Sequence, residues 1–228
     1  DIGIMFAKMG LIADVYAYGD AEAARTADRR PDVLILDTDS RFDDAKTAYD
    51  KAVQATRELR SLGAKQFYNK TCSVFRGNVG AEFDAMLDAL EASFAVVVLG
   101  FPKNGRLTKN GIHYVHGLPL EQSEFRNDPM HPMTQSDLVR ILQAQTRRSA
   151  ASVSYEIVRQ GPERLRQRLD SLKASHAYVI VDVAEQADLA IIAEAVGDDR
   201  VICGSSALAE ELARRIVRAN PDRGAGGR

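Results

Sequence analysis

Short apolar runs alternate with amphipathic stretches along nearly the whole chain, and this alternation restricts the fold more than any other feature. VLILD at 33–37, FAVVVLG at 94–100, AYVIVD at 177–182 and RVICG at 200–204 are too short for helices and rich in β-branched residues. VLIL, VVVL and VIV lack the polar residue at every second position that a half-exposed strand carries, so they read as strands buried on both faces. IADVYAY, AKQFYNK and SVSYEIV read as further strands. Helical spacing is predicted at 1–10, about 43–62, 78–91, 134–145, 162–174, 185–195 and 206–219. The 78–91 helix buries Val79, Phe83, Met86, Leu87 and Leu90 on one stripe, with Glu82 and Asp84 near its first turn. Strands buried on both faces and separated by helices imply a mostly parallel, doubly wound, Rossmann-like α/β sheet.

At 228 residues the chain suits one such domain, placed over 1–219, with the Pro/Gly-rich 220–228 as a linker or frayed tail. The opening DIGIMFAKMG reads as a helix already under way, which predicts a strand and loop feeding it from upstream. A net charge of −2 gives no electrostatic reason to bind nucleic acid or an anionic membrane. Two cysteines without metal-type spacing argue against a disulfide scaffold, and no apolar run approaches the ~18 residues of a membrane span. The cytoplasm is the expected location.

In a doubly wound sheet, ligands gather at the carboxyl ends of the strands. Four clusters fall there. In DTDSR, Asp37 and Asp39 suit hydroxyls or Mg²⁺ and Arg41 suits a carboxylate, though an Asx-type turn with a surface Arg accounts for them equally. In NKTCSVFRGN, Lys70, Ser73 and Arg76 precede a helix entry at Gly77 and Asn78, which together fit a carboxylate. The bland alternative is a capped helix with solvated cations, and Cys72 reads as a small buried filler. In FPKNGRLTKNG, Lys103, Arg106 and Lys109 alternate with glycines as a phosphate or acid clamp, or as a solvated loop. GSSAL at 204–208 is either an anion seat or a plain Ser-capped turn. The region 101–132 reads as one long Gly/Pro-rich loop holding three of the four histidines. His113 and His116 read as polar loop residues, because no carboxylate or thiol has ligand spacing to them. GxxxxGK[ST] and GxGxxG are both absent, which disfavours a Walker A loop and a nicotinamide-dependent dehydrogenase. No complete catalytic constellation and no metal site can be assembled from these pieces.

At these same residues the sequence resembles the four-carbon acid sugar kinase family, in its N-terminal sugar-binding domain. The resemblance rests on DTDSR, the run from Lys70 to Glu82, FPKNGRLTKNG followed by HYVHGLPL, FRNDPMHP at 125–132 and GSSALAEELA, in that order. It implies an ATP- and Mg²⁺-dependent kinase acting on threonate, erythronate or their oxo forms. This domain would hold the acid, and a separate C-terminal domain would supply the nucleotide site and most of the ATP and Mg²⁺ contacts. On that reading Asp39, Ser40, Arg41, Lys70, Ser73, Arg76, Gly77 and Asn78 bind substrate, Lys103 and Arg106 help neutralise the phosphoryl group, and a homodimer is possible. The fragment alone would bind without turnover. Where the family reads Asp-Ser-Thr-Leu-Arg-Gly-Asn, this chain has Cys72 and Val74 in place of the acid and the hydroxyl, which points to a different acid or to weakened catalysis. The alternative is a non-catalytic small-acid sensor or solute-binding module.

Overall fold

The computed structural model describes residues 2–28 and 30–220. Asp1 and most of the predicted tail therefore lie outside the described residues. The chain opens with α1 (Ile2–Ala7), β1 (Ala13–Ala17), α2 (Ala21–Thr26), β2 (Val33–Asp37), α3 (Ala45–Ser61), β3 (Phe67–Lys70), α4 (Val79–Leu90) and β4 (Ala95–Val98). A three-stranded insertion follows, β5 (Arg106–Lys109), β6 (Ile112–Val115) and β7 (Leu118–Pro119), then α5 (Leu138–Gln143). Alternation resumes with β8 (Ala150–Val153), α6 (Tyr155–Val158), α7 (Pro162–Lys173), β9 (Tyr178–Val181), α8 (Gln186–Val196), β10 (Val201–Gly204) and α9 (Ser206–Ala219).

Five strands form a wholly parallel sheet in the order β3-β10-β4-β9-β8, and β1 and β2 pair separately, also in parallel. β4, β9 and β10 are buried on both faces, as their composition predicts, whereas the VLIL run of β2, read in the same way, is only half-buried beside the open cleft. Along β4, Ala95 and Val97 join the core under α4 and α5, while Val96 and Val98 join the core under α7, α8 and α9. β9 divides in the same way, Tyr178 and Ile180 against Val179 and Val181. This period-2 split puts helices on both faces. Fully buried leucines at 87, 142, 165 and 189 fill the two layers, each contributing roughly 1.5–3 kcal/mol by burial. At Gly204 a Cβ would lie 2.1 Å from the Val98 carbonyl oxygen, so β10 approaches β4 closely only because that side chain is absent.

Local chemistry sets the helix starts. Asp44 Oδ1 accepts from the N–H groups of Lys46 and Thr47, both at 3.0 Å, capping α3. α5 starts later than the 134–145 stretch expected to be helical, capped not by Ser136 but by Asp137, whose Oδ1 accepts from Val139 and Arg140 N–H at 2.9 and 3.1 Å. Ser136 Oγ instead accepts from Glu121 N–H at 3.0 Å. SVSYEIV is strand only to Val153, because Asp182 Oδ2 accepts from Tyr155 N–H at 3.2 Å where the chain turns into α6.

The long loop expected at 101–132 is instead largely an antiparallel β5-β6-β7 sheet followed by short 3₁₀ turns. Asn110-Gly111 and His116-Gly117 form its two-residue turns, with φ values of 52°, 77°, 49° and 86°. Positive φ at both turn positions matches the twist of paired strands, so these glycines mark hairpins and not slack.

Candidate functional site

The loops leaving β2 and β3 meet at the mouth of a cleft of about 1360 Å³. Its wall includes Asp39, Ser40, Arg41, Lys70, Cys72 and Arg76. Five of these six are residues singled out from the sequence as substrate-binding. Ser73, Gly77 and Asn78 are not on that wall and support it from behind.

The β2–α3 loop contains the Asx-type turn that was one of the two alternatives read from the sequence. Asp37 Oδ1 accepts from Asp39 N–H at 3.2 Å, an Asx-type turn that holds Asp39 at a φ of 43°. Beyond it, Ser40 is buried, and its Oγ donates to Glu82 Oε1 at 2.8 Å and lies 2.8 Å from Thr38 Oγ1. Asn78 Nδ2 donates to the carbonyls of Asp43 at 2.8 Å and Ser40 at 3.3 Å, tying this loop to the start of α4. Gly77 has a φ of 96°, and a Cβ there would meet Arg41 Cγ at 3.2 Å and the Arg41 carbonyl oxygen at 3.4 Å. Glycine at 77 therefore lets the two loops close on each other.

Arg76 is aimed by its neighbours. Phe75 sits at a φ of 60° yet is buried, its ring edge-on to Phe83 at 6.0 Å. A left-handed aromatic residue is a strained conformation held by the packing around it, and here it turns the next side chain out of the core. Arg76 Nη1 donates to Asp128 Oδ2 at 2.7 Å and its guanidinium lies 4.9 Å from the Phe125 ring centre. Backbone N–H groups of His131 and Met130, together with Arg76, hold the Asp128 carboxyl at about 2. At the predicted helix-entry seat, Gly80 N–H is already taken by Gln145 Oε1 at 3.1 Å.

Burial and neighbouring charges shift the titrating groups at the mouth. Burial lowers the Lys70 ammonium pKa, and the adjacent Arg41 charge adds to that. Burial also raises the Glu82 carboxyl above its ordinary value, against the Ser40 hydrogen bond and Arg41. Burial opposes ionisation of Cys72, but the Val74 backbone and Arg76 outweigh it and bring the thiol pKa down. Cys72 is half-buried: it packs against the core, as expected of a small filler, and also lines the cleft. Of the two departures from the resembled motif, Val74 is buried in the core and only Cys72 reaches the cleft.

The third cluster divides. Arg106 donates to the Asn104 carbonyl, and its guanidinium lies 5.8 Å from the same Phe125 ring that Arg76 covers. Lys103 faces α9, where both Glu210 carboxylate oxygens accept from Nζ at 2.9 Å. His113, expected in a polar loop, is fully buried on β6. Its Nδ1 lies 3.1 Å from Thr108 Oγ1, while its Nε2 is buried without a hydrogen-bond partner among the described residues. In the fourth cluster, Ser205 Oγ accepts from Ala207 N–H at 3.4 Å, an ordinary Ser cap. Among the described residues, no group of three or more His, Cys, Asp or Glu side chains could cage a metal ion. Asp37 and Asp39 supply two carboxylates at the mouth, and Mg²⁺ commonly takes one or two together with substrate phosphates. Sequence reasoning missed Glu82, read only as a helix-dipole residue, along with Asp128, Phe125 and His113. All four lie inside the runs that carry the family resemblance, Lys70 to Glu82, HYVHGLPL and FRNDPMHP, but no local spacing rule singled them out as site residues.

The chain matches a protein family, curated relatives and solved structures as follows. The family described as the sugar-binding N-terminal domain matches residues 1–212. A 3-oxo-tetronate kinase of Actinobacillus succinogenes is 35% identical over 192 residues, which is 82% of this chain and 46% of that protein. A D-erythronate kinase of Heliobacterium modesticaldum is 34% identical over 193 residues, 84% of this chain and 44% of that protein. The chain thus spans about half the length of the curated relatives it matches. Among solved structures, a Haemophilus influenzae protein matches with a TM-score of 0.89 and 30% identity, over 96% of this chain and 54% of that one. A domain of unknown function from Bordetella bronchiseptica, described as a domain-swapped dimer with bound citrate, matches with a TM-score of 0.83 and 29% identity, over 96% of this chain and 55% of that one.

Proposed function

The chain belongs to the sugar-binding N-terminal domain family, and from that premise we propose that its 1–219 region is the acid-holding domain of an ATP-dependent four-carbon sugar-acid kinase. The observation that carries this reading is the convergence of Arg41, Lys70 and Arg76 on one cleft mouth beside Asp39 and Ser40. Three cations suit a carboxylate, and flanking oxygen acceptors suit the hydroxyls of a tetronate. Lys70 and Arg41 take the acid, while Arg76, already bridged to Asp128, contributes its remaining N–H groups. Asp39 and Ser40 orient hydroxyls, and Ser73, Gly77 and Asn78 shape the loops. Arg106 stands beside Arg76 for phosphoryl charge, and Lys103 reaches that role only by leaving Glu210.

Phosphoryl transfer needs positioning and charge neutralisation more than covalent chemistry. ATP with Mg²⁺ would supply the phosphoryl group, held mainly by a C-terminal domain of the same protein. The resident chain's part is to bind the acid, exclude water around it and fix which hydroxyl faces outward. Among the described residues no helix is long and apolar enough to cross a membrane, consistent with a cytoplasmic enzyme. The domain-swapped dimer described for the Bordetella protein makes a homodimer reasonable here. A thermal-shift and calorimetric screen of erythronate, threonate and their oxo forms tests the reading. A ligand at 100 times its dissociation constant adds about 2.7 kcal/mol of stability. Arg76→Ala in the complete protein should abolish that gain. Unchanged acid affinity in that variant, or no response to any tetronate at millimolar concentration, sinks the assignment.

A further inference from the structure

Glu82 lies in the first turn of α4, yet its side chain serves the neighbouring loop and not its own helix. Ser40 Oγ donates to Glu82 Oε1 at 2.8 Å, and Thr38 Oγ1 lies 2.8 Å from Ser40 Oγ. Thr38, Ser40 and Glu82 all line the cleft that Arg41, Lys70 and Arg76 share. A hydroxyl carries one proton and an ionised carboxylate carries none. Ser40 therefore commits its proton to Glu82, and Thr38 must be the donor between the two hydroxyls. With both protons committed, Thr38 and Ser40 can only accept from a group that enters the cleft. The line runs one way, from the cleft to Glu82, and it matches an alcohol hydroxyl rather than a carboxylate.

A tether for the β2–α3 loop does not account for this carboxylate. Asn78 Nδ2 already holds that loop through the carbonyls of Asp43 and Ser40, at 2.8 and 3.3 Å. A glutamine at 82 would accept the Ser40 bond as well, without the desolvation of a charge. Burial raises the Glu82 carboxyl above its ordinary value, with Ser40, the Arg41 charge and the Asn69 side chain of β3 acting against this and Asp43 acting with it. From β10 the group is faced by Cys203, whose thiol burial pushes up, so it stays neutral and adds no charge. A carboxylate in such surroundings is suited to take up a proton at the inner end of the line.

We propose that Thr38, Ser40 and Glu82 receive the proton of the substrate hydroxyl that takes the phosphoryl group, an inference that rests on the sugar-acid kinase reading and deepens it. The hydroxyl's O–H bond breaks as its oxygen bonds the γ-phosphorus and the bond from that phosphorus to the leaving nucleoside diphosphate breaks. The freed proton passes to Thr38 Oγ1, the Thr38 proton to Ser40 Oγ, and the Ser40 proton to Glu82, which becomes the neutral acid. Water at the open mouth takes the proton back after the product leaves. The same line orients the substrate, its carboxylate toward Arg41, Lys70 and Arg76 and its reacting hydroxyl toward Thr38. Glu82 acts through the two hydroxyls and does not touch the substrate, so it is a positioning residue for the transfer.

Steady-state kinetics of the full-length protein with erythronate, threonate and their oxo forms, beside calorimetric binding of the same acids, test it. Glu82→Gln keeps an acceptor for Ser40 but cannot take a proton, and Thr38→Val keeps the volume but breaks the line. Each should lower kcat about 100-fold or more, with acid affinity within about threefold of wild type. The acid-side limb of the kcat/KM pH profile should disappear in Glu82→Gln, which a merely structural role would not produce. The double variant should be no slower than either single one, because both changes break one line. Near-wild-type kcat in Glu82→Gln, an unchanged acid limb, or a loss confined to acid affinity overturns the proposal and leaves the kinase reading standing. A wild-type protein that phosphorylates none of these acids overturns the kinase reading, and the proposal with it.

Discussion

Acidification should loosen this domain through His113, and the size of the effect follows from its surroundings. The imidazole is fully buried on β6, and burial pushes its pKa from 6.5 down to about 4, against the opposing influence of the Ser73 backbone. Because the folded state holds this group neutral, the unfolded chain binds the extra proton between those values. Stability is therefore fully present above about pH 6.5 and is lost as pH falls toward 4. Linkage across that window removes about 2 kcal/mol by pH 5 and about 3 kcal/mol by pH 4 from this group alone. A mesophilic domain has roughly 5–15 kcal/mol in total, so the loss is a substantial part of it. Urea unfolding of the wild-type chain and of His113→Gln, at half-unit steps from pH 7.5 to 4.5, isolates the contribution. Glutamine can still bond Thr108 but does not titrate, so its packing cost is constant in pH. The wild-type advantage should shrink by about 2 kcal/mol between pH 7 and 5. Parallel stability curves for the two proteins would refute the reasoning.

Three further outcomes are expected. Glu82→Gln should become progressively more stable than wild type as pH rises above the ordinary carboxylate value, because burial raises the Glu82 pKa and its ionisation opposes folding; a pH-independent difference in melting temperature contradicts this. Gly204→Ala should cost about 3 kcal/mol or more in urea unfolding, since its Cβ would meet the Val98 carbonyl at 2.1 Å with only backbone available to yield; a cost near zero shows that the β4–β10 approach is looser than described. Tyr178→Phe removes a hydroxyl that donates to Asp84 Oδ1 at 2.5 Å and should destabilise by about 1–2 kcal/mol, while an unchanged midpoint would mean that Thr146 and Arg148 alone satisfy Asp84.

The strands, helices and doubly wound class were legible because their signals are local. Continuous β-branched runs mark the central strands, and the predicted 206–219 helix is observed to the residue as α9. Gly77 and Asn78 were recognisable as a helix entry, because backbone conformation constrains residue choice at that point. The hairpin at 106–115 was also written locally, in Asn110-Gly111, but its glycines were read as slack. What the site needs from elsewhere in the chain was not legible. Asp128 reaches Arg76 across 52 residues and Glu82 reaches Ser40 across 42, and no spacing rule links such pairs.

Sequence alone determined the strand–helix alternation, the placing of Arg41, Lys70 and Arg76 in loops that follow strands, and the family resemblance carried by those motifs. Tertiary structure decided which of the named residues share one cleft, that Lys103 is held by Glu210, and that Val74 is core while Cys72 faces the site. The division has one physical cause. Conformational preference and hydrophobic period act over a few neighbouring residues, whereas burial, charge pairing and the sharing of a cavity arise only once distant segments are packed against each other.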